Sequence, residues 1–414
     1  MGNLQVMVIG AGTGGLALAH GLRASGIAVR VFDRDHNLTE RAQGYRLTIN
    51  TRGARALQSC LPKANFDHHV AASAKVSAAV SFFDHKLRRL LFVEVPNTEQ
   101  TDPYAARPIS RVALRQILAE GLENTVAYGN TFQAFEKTQG GIVASFEDGS
   151  SAEGDVLVGA DGAASRVRRQ LLPDAKRVET GVVMVMGKLP LDPLVRREAP
   201  SAVFKGPTLV LGPGGSSMFA GAVEYPPSQG SDYDREEYVM WGFSAHHDSF
   251  GIATAAGEVG LADARAAVLA QMTDWSPNLR RLVERAETSS LSSFAVKSSV
   301  PVAPWATSRV TLLGDALHNM TPFRGIGANT ALRDAVLLRD ALVAVGRGER
   351  DVLAALADYE RDMIDYGFAA VRASLANMKR LHARSPFSRL ATRAFFRLAD
   401  LSPWLRKRAI DTGG

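Results

Sequence analysis

The sequence predicts an α/β protein in which a Rossmann-like domain carries an inserted, mostly antiparallel β-sheet domain and a helical C-terminus. Three observations predict it. The chain opens on strand, glycine turn, helix and strand. Its middle is a run of β segments broken by Gly and Pro. Past "RVTLLGDA" the apolar residues recur at helical spacing.

The opening stretch is "VMVIGAGTGGLALAHGLRASGIAVRVFDRD". Val6 to Ile9 is a short apolar run suited to a buried strand. Gly10, Gly12 and Gly15 form G-x-G-x-x-G, with Thr13 and Gly14 inside the turn. The first glycine permits the tight turn, the second a close approach to a pyrophosphate, and the third helix–strand packing. Leu16 to Ser25 reads as the helix, with its N–H groups facing the phosphates, and Gly26 ends it. Ala28 to Phe32 is the second strand. Asp33 closes it, where a carboxylate accepts hydrogen bonds from a ribose. A dinucleotide containing ADP binds here.

Later elements follow in order. "GYRLTINTRGARAL" reads as strand, turn and helix, and Val76 to Val93 as a hairpin. "ISRVALRQILAEGL" is a helix. A hairpin turns at Asp148-Gly149, before an apolar strand over Val156 to Val158. From about 177 to 298 short β segments alternate with Gly and Pro turns, interrupted by one helix near 261–272. "GPGG" at 212–215 sits in a hairpin. Val352, Leu356, Tyr359, Met363, Tyr366 and Ala370 mark one face of a long helix.

Composition narrows the function classes. A chain of 414 residues, 46% hydrophobic, buries a large core. Its single cysteine, Cys60, excludes an internal disulfide framework and a cysteine-based metal cluster. Met1 to Leu4 leads directly into the first strand and no long uncharged apolar run follows, so a cytoplasmic protein without a membrane span is expected. Net charge is +6, but Lys379 to Arg408 alone holds nine Lys or Arg against one acid, Asp400. The remainder is near neutral, which argues against nucleic acid as a partner. The basic segment "FSRLATRAFFRLADLS" is an amphipathic helix, with Arg389, Arg393 and Arg397 on one side. Leu390, Ala394, Phe395, Leu398 and Leu401 gather on the other. We expect that apolar side to dock on the protein; weak peripheral contact with an anionic membrane is the alternative.

Two further motifs narrow the ligand. "GDVLVGADGAASRVRR" holds Asp161-Gly162. "RVTLLGDALHNMTPFRGIGANTALRDAVLL" has a strand, Val310 to Leu313, ending in Gly314-Asp315. Pro322, Gly325 and Gly327 then lead, with Ala328, into a helix starting near Asn329. A helix start of this kind stabilises electron-rich positions before it. The order of the three motifs resembles the single-component (class A) FAD-dependent aromatic hydroxylases and monooxygenases of the para-hydroxybenzoate hydroxylase fold, over the chain to about residue 375.

That resemblance implies a Rossmann-like FAD-binding domain assembled from 1–75, 100–176 and 295–345. It implies a substrate domain from 76–99 and 177–294, and C-terminal helices over 346–414. Asp33 would bind the adenosine ribose with Arg34 beside it, and Arg111 would lie near the pyrophosphate. Asp161 belongs to a motif implicated in FAD and NAD(P)H binding, Asp315 would hold the ribityl chain, and the Pro322 to Asn329 turn would lie against the flavin ring. NAD(P)H would dock transiently as co-substrate. A C4a-hydroperoxyflavin formed with O2 would deliver one oxygen atom to a hydrophobic aromatic or polycyclic substrate. Hydroxylation is the expected outcome; Baeyer–Villiger insertion, epoxidation, or an oxidase or reductase of the same fold are alternatives.

Departures from the family pattern single out candidates. Arg324 stands where a small residue usually precedes the first glycine of the turn, and Ile326 replaces a polar residue. Arg324 is a candidate clamp for a substrate oxygen, against the alternative of a solvent-facing arginine. Arg46 is a candidate for the pocket wall. His318 reads as support for its loop. His246, His247 and Asp248 read as a solvated loop rather than metal ligands.

Overall fold

The computed structural model describes residues 4–38, 40, 45–96, 101–226, 233, 235–251 and 261–410. A five-stranded sheet of parallel strands runs in the order Val310–Leu312, Val156–Gly159, Gln5–Ile9, Ala28–Phe32, Val126–Ala127. The inner strands are apolar runs because neighbours and covering helices bury both faces: Val6, Met7, Val8, Val156, Leu157 and Val158 are all in the core. The helix Thr13–Ala24 begins earlier than the sequence suggests, since extended Gly12 is its N-cap. Gly14 and Gly15 therefore lie in its first turn and serve close packing. A Cβ on Gly15 would sit 2.1 Å from Gly10 O, and one on Gly14 2.3 Å from Leu313 Cδ2.

The seven-stranded sheet has the order Ser292–Ser299, Arg177–Pro190, Tyr238–His246, Ser217–Val223, Thr208–Leu211, Ala79–Asp84, Arg89–Glu94. All neighbours are antiparallel except Thr208–Leu211 with Ala79–Asp84. This region holds more helix than its Gly/Pro texture implies. Besides Leu261–Gln271 there are Pro193–Glu198 and Pro277–Glu284, each with proline in its first turn. Proline there marks a helix start rather than a break. One sheet face, with Val183, Val185, Trp241 and Phe243, packs in one core with Val195, Val268 and Leu279 from these helices. The register puts Met184, Met186, Gly242, Ser244 and Phe219 on the opposite face. Met184 packs there against Met378, Leu375 and Phe323.

The helix Val352–Leu381 buries Val352, Leu356, Tyr359 and Met363, with Tyr366 and Ala370 half-buried. The helix Pro386–Leu401 does dock on the protein, with Phe395 of the expected apolar side half-buried against it and Arg397 of the basic side exposed, but the rest of the expected apolar side faces outward. Phe396 stacks on Phe82 with ring centroids 4.4 Å apart, and Ala399 is fully buried. Arg389 donates to Gly212 O at 3.1 Å and Arg393 to Leu211 O at 3.5 Å, while Leu390, Ala394, Leu398 and Leu401 are exposed. Carbonyls at the end of a strand need donors, and apolar side chains supply none. Among the described residues no helix is long and apolar enough to cross a membrane.

Candidate functional site

At the C-terminal ends of the parallel strands lies a cleft of about 560 Å³. Gly10, Gly12, Thr13, Asp33, Arg34, Arg111 and Asp161 all line it. Such an end, beside a helix N-terminus, is where an α/β sheet holds a ligand. Gly10 has φ +112°, and a Cβ there would lie 2.4 Å from Ala160 O. Gly12 has open space on its Cβ side, so nothing of its own shields the backbone from a ligand. Asp33 is almost buried: Oδ2 accepts from Ala11 N at 2.6 Å and Oδ1 from Asp35 N at 2.8 Å.

Arg115, which the sequence reading missed, completes this corner. Its Nε donates to Ala11 O at 3.2 Å, Nη1 lies 2.9 Å from Asp35 Oδ2 and Nη2 3.6 Å from Asp33 Oδ2. The available signal was its spacing, one helical turn after Arg111. Asp161 Oδ2 accepts from Arg166 N at 2.7 Å, while Oδ1 is buried without a partner. Arg34, Arg111, Arg115, Arg166 and Arg169 make the cleft cationic, and the unpartnered Asp161 oxygen calls for a donor. An anionic pyrophosphate carrying hydroxylated groups fits both requirements.

Gly14 and Gly15 do not line this cleft, nor do the residues of the third motif. Gly314, at φ +65°, follows the strand Val310–Leu312, and Asp315 opens the turn of helix Asp315–His318 with its side chain exposed. Pro322–Arg324 form a 3-10 turn ended by Gly325 at φ +63°, and the long helix begins at Gly327, two residues ahead of Asn329. A Cβ on Gly327 would be 3.9 Å from Asp315 Oδ1, so the two parts of the motif meet. Ala328 is half-buried beside them. The Asn329 amide is engaged within the protein: Oδ1 accepts from Asn50 N and Nδ2 donates to Thr48 O, both at 2.9 Å.

Beneath this turn Asp334, also missed, gathers three donors. It accepts from Gly314 N at 2.7 Å, from His318 Nε2 at 2.7 Å and from Tyr366 Oη. Burial alone would lower the His318 pKa; the Asp334 carboxylate outweighs it, and the net direction is upward. His318 is wholly buried and so supports its loop.

Neither Arg46 nor Arg324 has a carboxylate partner among the described residues. Arg46 is 9% exposed, its guanidinium lies 5.3 Å from the Phe219 ring centroid, and its Nε is unpartnered. Arg324 is half-buried, again with an unpartnered Nε. Met186 packs against both the cluster that Phe219 borders and the cluster that Phe323 borders. Over Gly242, which pairs with Met186, a Cβ would touch Met186 Cγ at 3.6 Å and Met184 Sδ at 3.9 Å, so the two methionines cover it. His246 and Asp248 are otherwise employed: His246 Nε2 lies 2.9 Å from His382 O, and Asp248 pairs with Arg384. Among the described residues no group of three or more metal-ligating side chains occurs.

Comparison with known proteins agrees with this geometry. The family model described as "FAD binding domain" matches residues 3–248 and 265–374. The dual O-methyltransferase/FAD-dependent monooxygenase elcB of Phaeosphaeria nodorum is 29% identical over 94% of this chain and 47% of its own length, so the chain spans about half of that relative. The FAD-dependent monooxygenase phnB of Penicillium herquei is 29% identical over 91% of each chain. A solved structure of a candidate FAD containing monooxygenase from Photorhabdus luminescens subsp. laumondii TTO1 is 34% identical, with TM-score 0.82 over 92% of this chain and 98% of that one. The chain thus carries an FAD-binding domain and belongs to the family of class A FAD-dependent monooxygenases and hydroxylases.

Proposed function

We propose that the chain is an NAD(P)H-dependent FAD monooxygenase that hydroxylates a hydrophobic aromatic or polycyclic substrate bearing an electron-rich oxygen. The observation carrying this reading is that Arg46, over the Phe219 ring, and Arg324, next to Phe323 in its turn, lack carboxylate partners, with Phe219 and Phe323 each bordering an apolar cluster that Met186 packs against. An apolar wall with a few convergent cations selects a flat molecule with a carbonyl, phenol or phenolate. The Klebsiella pneumoniae HpxO structure, complexed with FAD and uric acid, has the same fold at 22% identity and TM-score 0.80, and a planar heteroaromatic ligand supports the substrate class.

In this reading Gly10, Gly12, Thr13 and Arg111 hold the pyrophosphate, Asp33 with Arg34 and Arg115 the adenosine end, and Asp161 an inner hydroxyl. Asp315 takes the ribityl chain, and Pro322, Gly325, Gly327 and Ala328 border the ring while Asn329 fixes their turn. The FAD part is assembled from 1–75, 100–176 and 295–345, and the substrate part from 76–99 and 177–294. When bound, FAD accepts electrons from NAD(P)H and activates O2; the protein supplies placement and exclusion of water. Arg46 and Arg324 orient the substrate oxygen so that the carbon to be oxygenated faces the ring, and a cation beside a phenolate favours the ionised, more nucleophilic form.

The test is purified flavoprotein with NADH or NADPH, a panel of polyphenols and 18O2. Substrate-dependent NAD(P)H oxidation with one 18O atom in the product is expected. Stoichiometric peroxide with no labelled product across the panel would favour an oxidase.

A further inference from the structure

The helix Pro386–Leu401 is inside out for a surface helix. Arg389, Arg393, Phe396 and Asp400 point at the body: Asp400 accepts from Phe92 N at 2.9 Å and pairs with Arg89 at 3.1 Å. The outer side carries Phe387 (80% exposed), Leu390 (67%), Leu398 (57%) and Leu401 (81%). Their spacing, completed by Ala394, makes one continuous helical stripe. Trp404, the second residue of the following helix Pro403–Ile410, is 67% exposed. Isolated exposed leucines need no explanation, but a stripe of this length marks a contact surface.

Charge selects the occupant. Arg397 is exposed on the same helix and Lys379 and Arg380 at the end of the preceding one, and the sequence from Lys379 to Arg408 has nine basic residues against Asp400, which is already paired inward. A second copy of the chain would bring two strongly cationic segments together. An anionic lipid surface instead accepts an apolar ridge between the acyl chains and neutralises the flanking cations. Phe387 and Trp404 bracket the ridge, where aromatic rings favour the bilayer interface.

We infer that the helices Pro386–Leu401 and Pro403–Ile410 seat the protein peripherally on an anionic membrane surface, by the ridge Phe387, Leu390, Leu398, Leu401 and Trp404. This surface is independent of the monooxygenase reading. The helix stays docked through Phe396 and its arginines while the ridge enters the lipid, so no unfolding is required.

The test is flotation of the full-length holoprotein with vesicles of phosphatidylcholine alone or with 30% phosphatidylglycerol. Binding only to the anionic vesicles is expected, weakened by high salt and accompanied by a blue shift of Trp404 fluorescence that Trp404→Phe abolishes. The triple substitution Leu390→Ser, Leu398→Ser and Leu401→Ser removes only exposed groups, so flavin content and Tm should persist while partitioning falls roughly tenfold or more. No binding to anionic vesicles would overturn the inference, as would binding unaffected by the triple variant. A dimer in light scattering that the triple variant converts to monomer would also overturn it, assigning the ridge to a protein contact.

Discussion

Asp334 Oδ2 lies 2.7 Å from His318 Nε2 and 2.7 Å from Gly314 N, so one buried carboxylate holds both the loop and the glycine that precedes Asp315. Tyr366 adds a third donor from the long helix Val352–Leu381. The position of Asp315 thus depends on a residue twenty positions later in the chain than Gly314.

Asp334→Asn should therefore harm cofactor retention as well as stability. An amide cannot accept all three bonds, and its NH2 must face a donor. Breaking a buried charged pair costs about 3–5 kcal/mol. Urea unfolding should show a loss of that order, and gel filtration should yield protein depleted in flavin. Wild-type stability together with full flavin content would show the network to be dispensable.

The first βαβ unit was legible because its signals are local: apolar runs, a glycine fingerprint and an acid within one unit. Asp334 and Arg115 were not, since their partners Gly314 and Ala11 are joined to them only by the tertiary fold. The helix Pro386–Leu401 shows the limit most clearly. Periodicity revealed its two sides, but the side that docks was decided by the Phe82 ring and the carbonyls of Leu211 and Gly212, far away in sequence.

Glu360 supplies a pH-dependent prediction. It is 3% exposed, and burial raises its pKa to about 7 against the donor bonds that oppose this, Thr307 Oγ1 at 2.6 Å among them. A raised folded pKa gives stability that is fully present below the unfolded value of 4.5 and lost as pH rises through about 7. Glu360→Gln keeps an acceptor for Thr307 and cannot ionise. Its stability relative to wild type should be roughly 3 kcal/mol more favourable at pH 8.5 than at pH 4. A pH-independent difference would mean that Glu360 ionises without penalty.

His69 and His382 act at the other end of the range. Burial lowers both to about 4, aided at His69 by Arg107. Each folded pKa is depressed, so the stabilising contribution is present above 6.5 and lost as pH falls from 6.5 toward 4. Each contributes at most roughly 3 kcal/mol at neutral pH. Near pH 5 the unfolded chain binds about one more proton at each site, so His69→Gln and His382→Gln should each flatten the slope of unfolding free energy against pH by about one proton. An unchanged slope would show that both histidines already protonate in the folded state.

Arg46 and Arg324 give the sharpest test of the proposed site. Arg46 lies on the strand Arg46–Ile49 and reaches across to Phe219 of the large sheet; a Cβ on Gly221 would meet its Nη2 at 2.8 Å. Arg324 sits in the turn ahead of Gly325. If both grip one substrate oxygen, each charged hydrogen bond is worth about 1.5–3 kcal/mol, or roughly 10- to 100-fold in kcat/KM. Arg324→Ala and Arg46→Ala should each lower kcat/KM in that range, with more NAD(P)H diverted to peroxide and flavin content intact. Because they would act on the same group, their effects should not add: the double variant should fall well short of the product of the single losses. Fully additive losses would assign the arginines to separate ligands, and an unchanged kcat/KM at Arg324→Ala would leave Arg46 alone as the anchor.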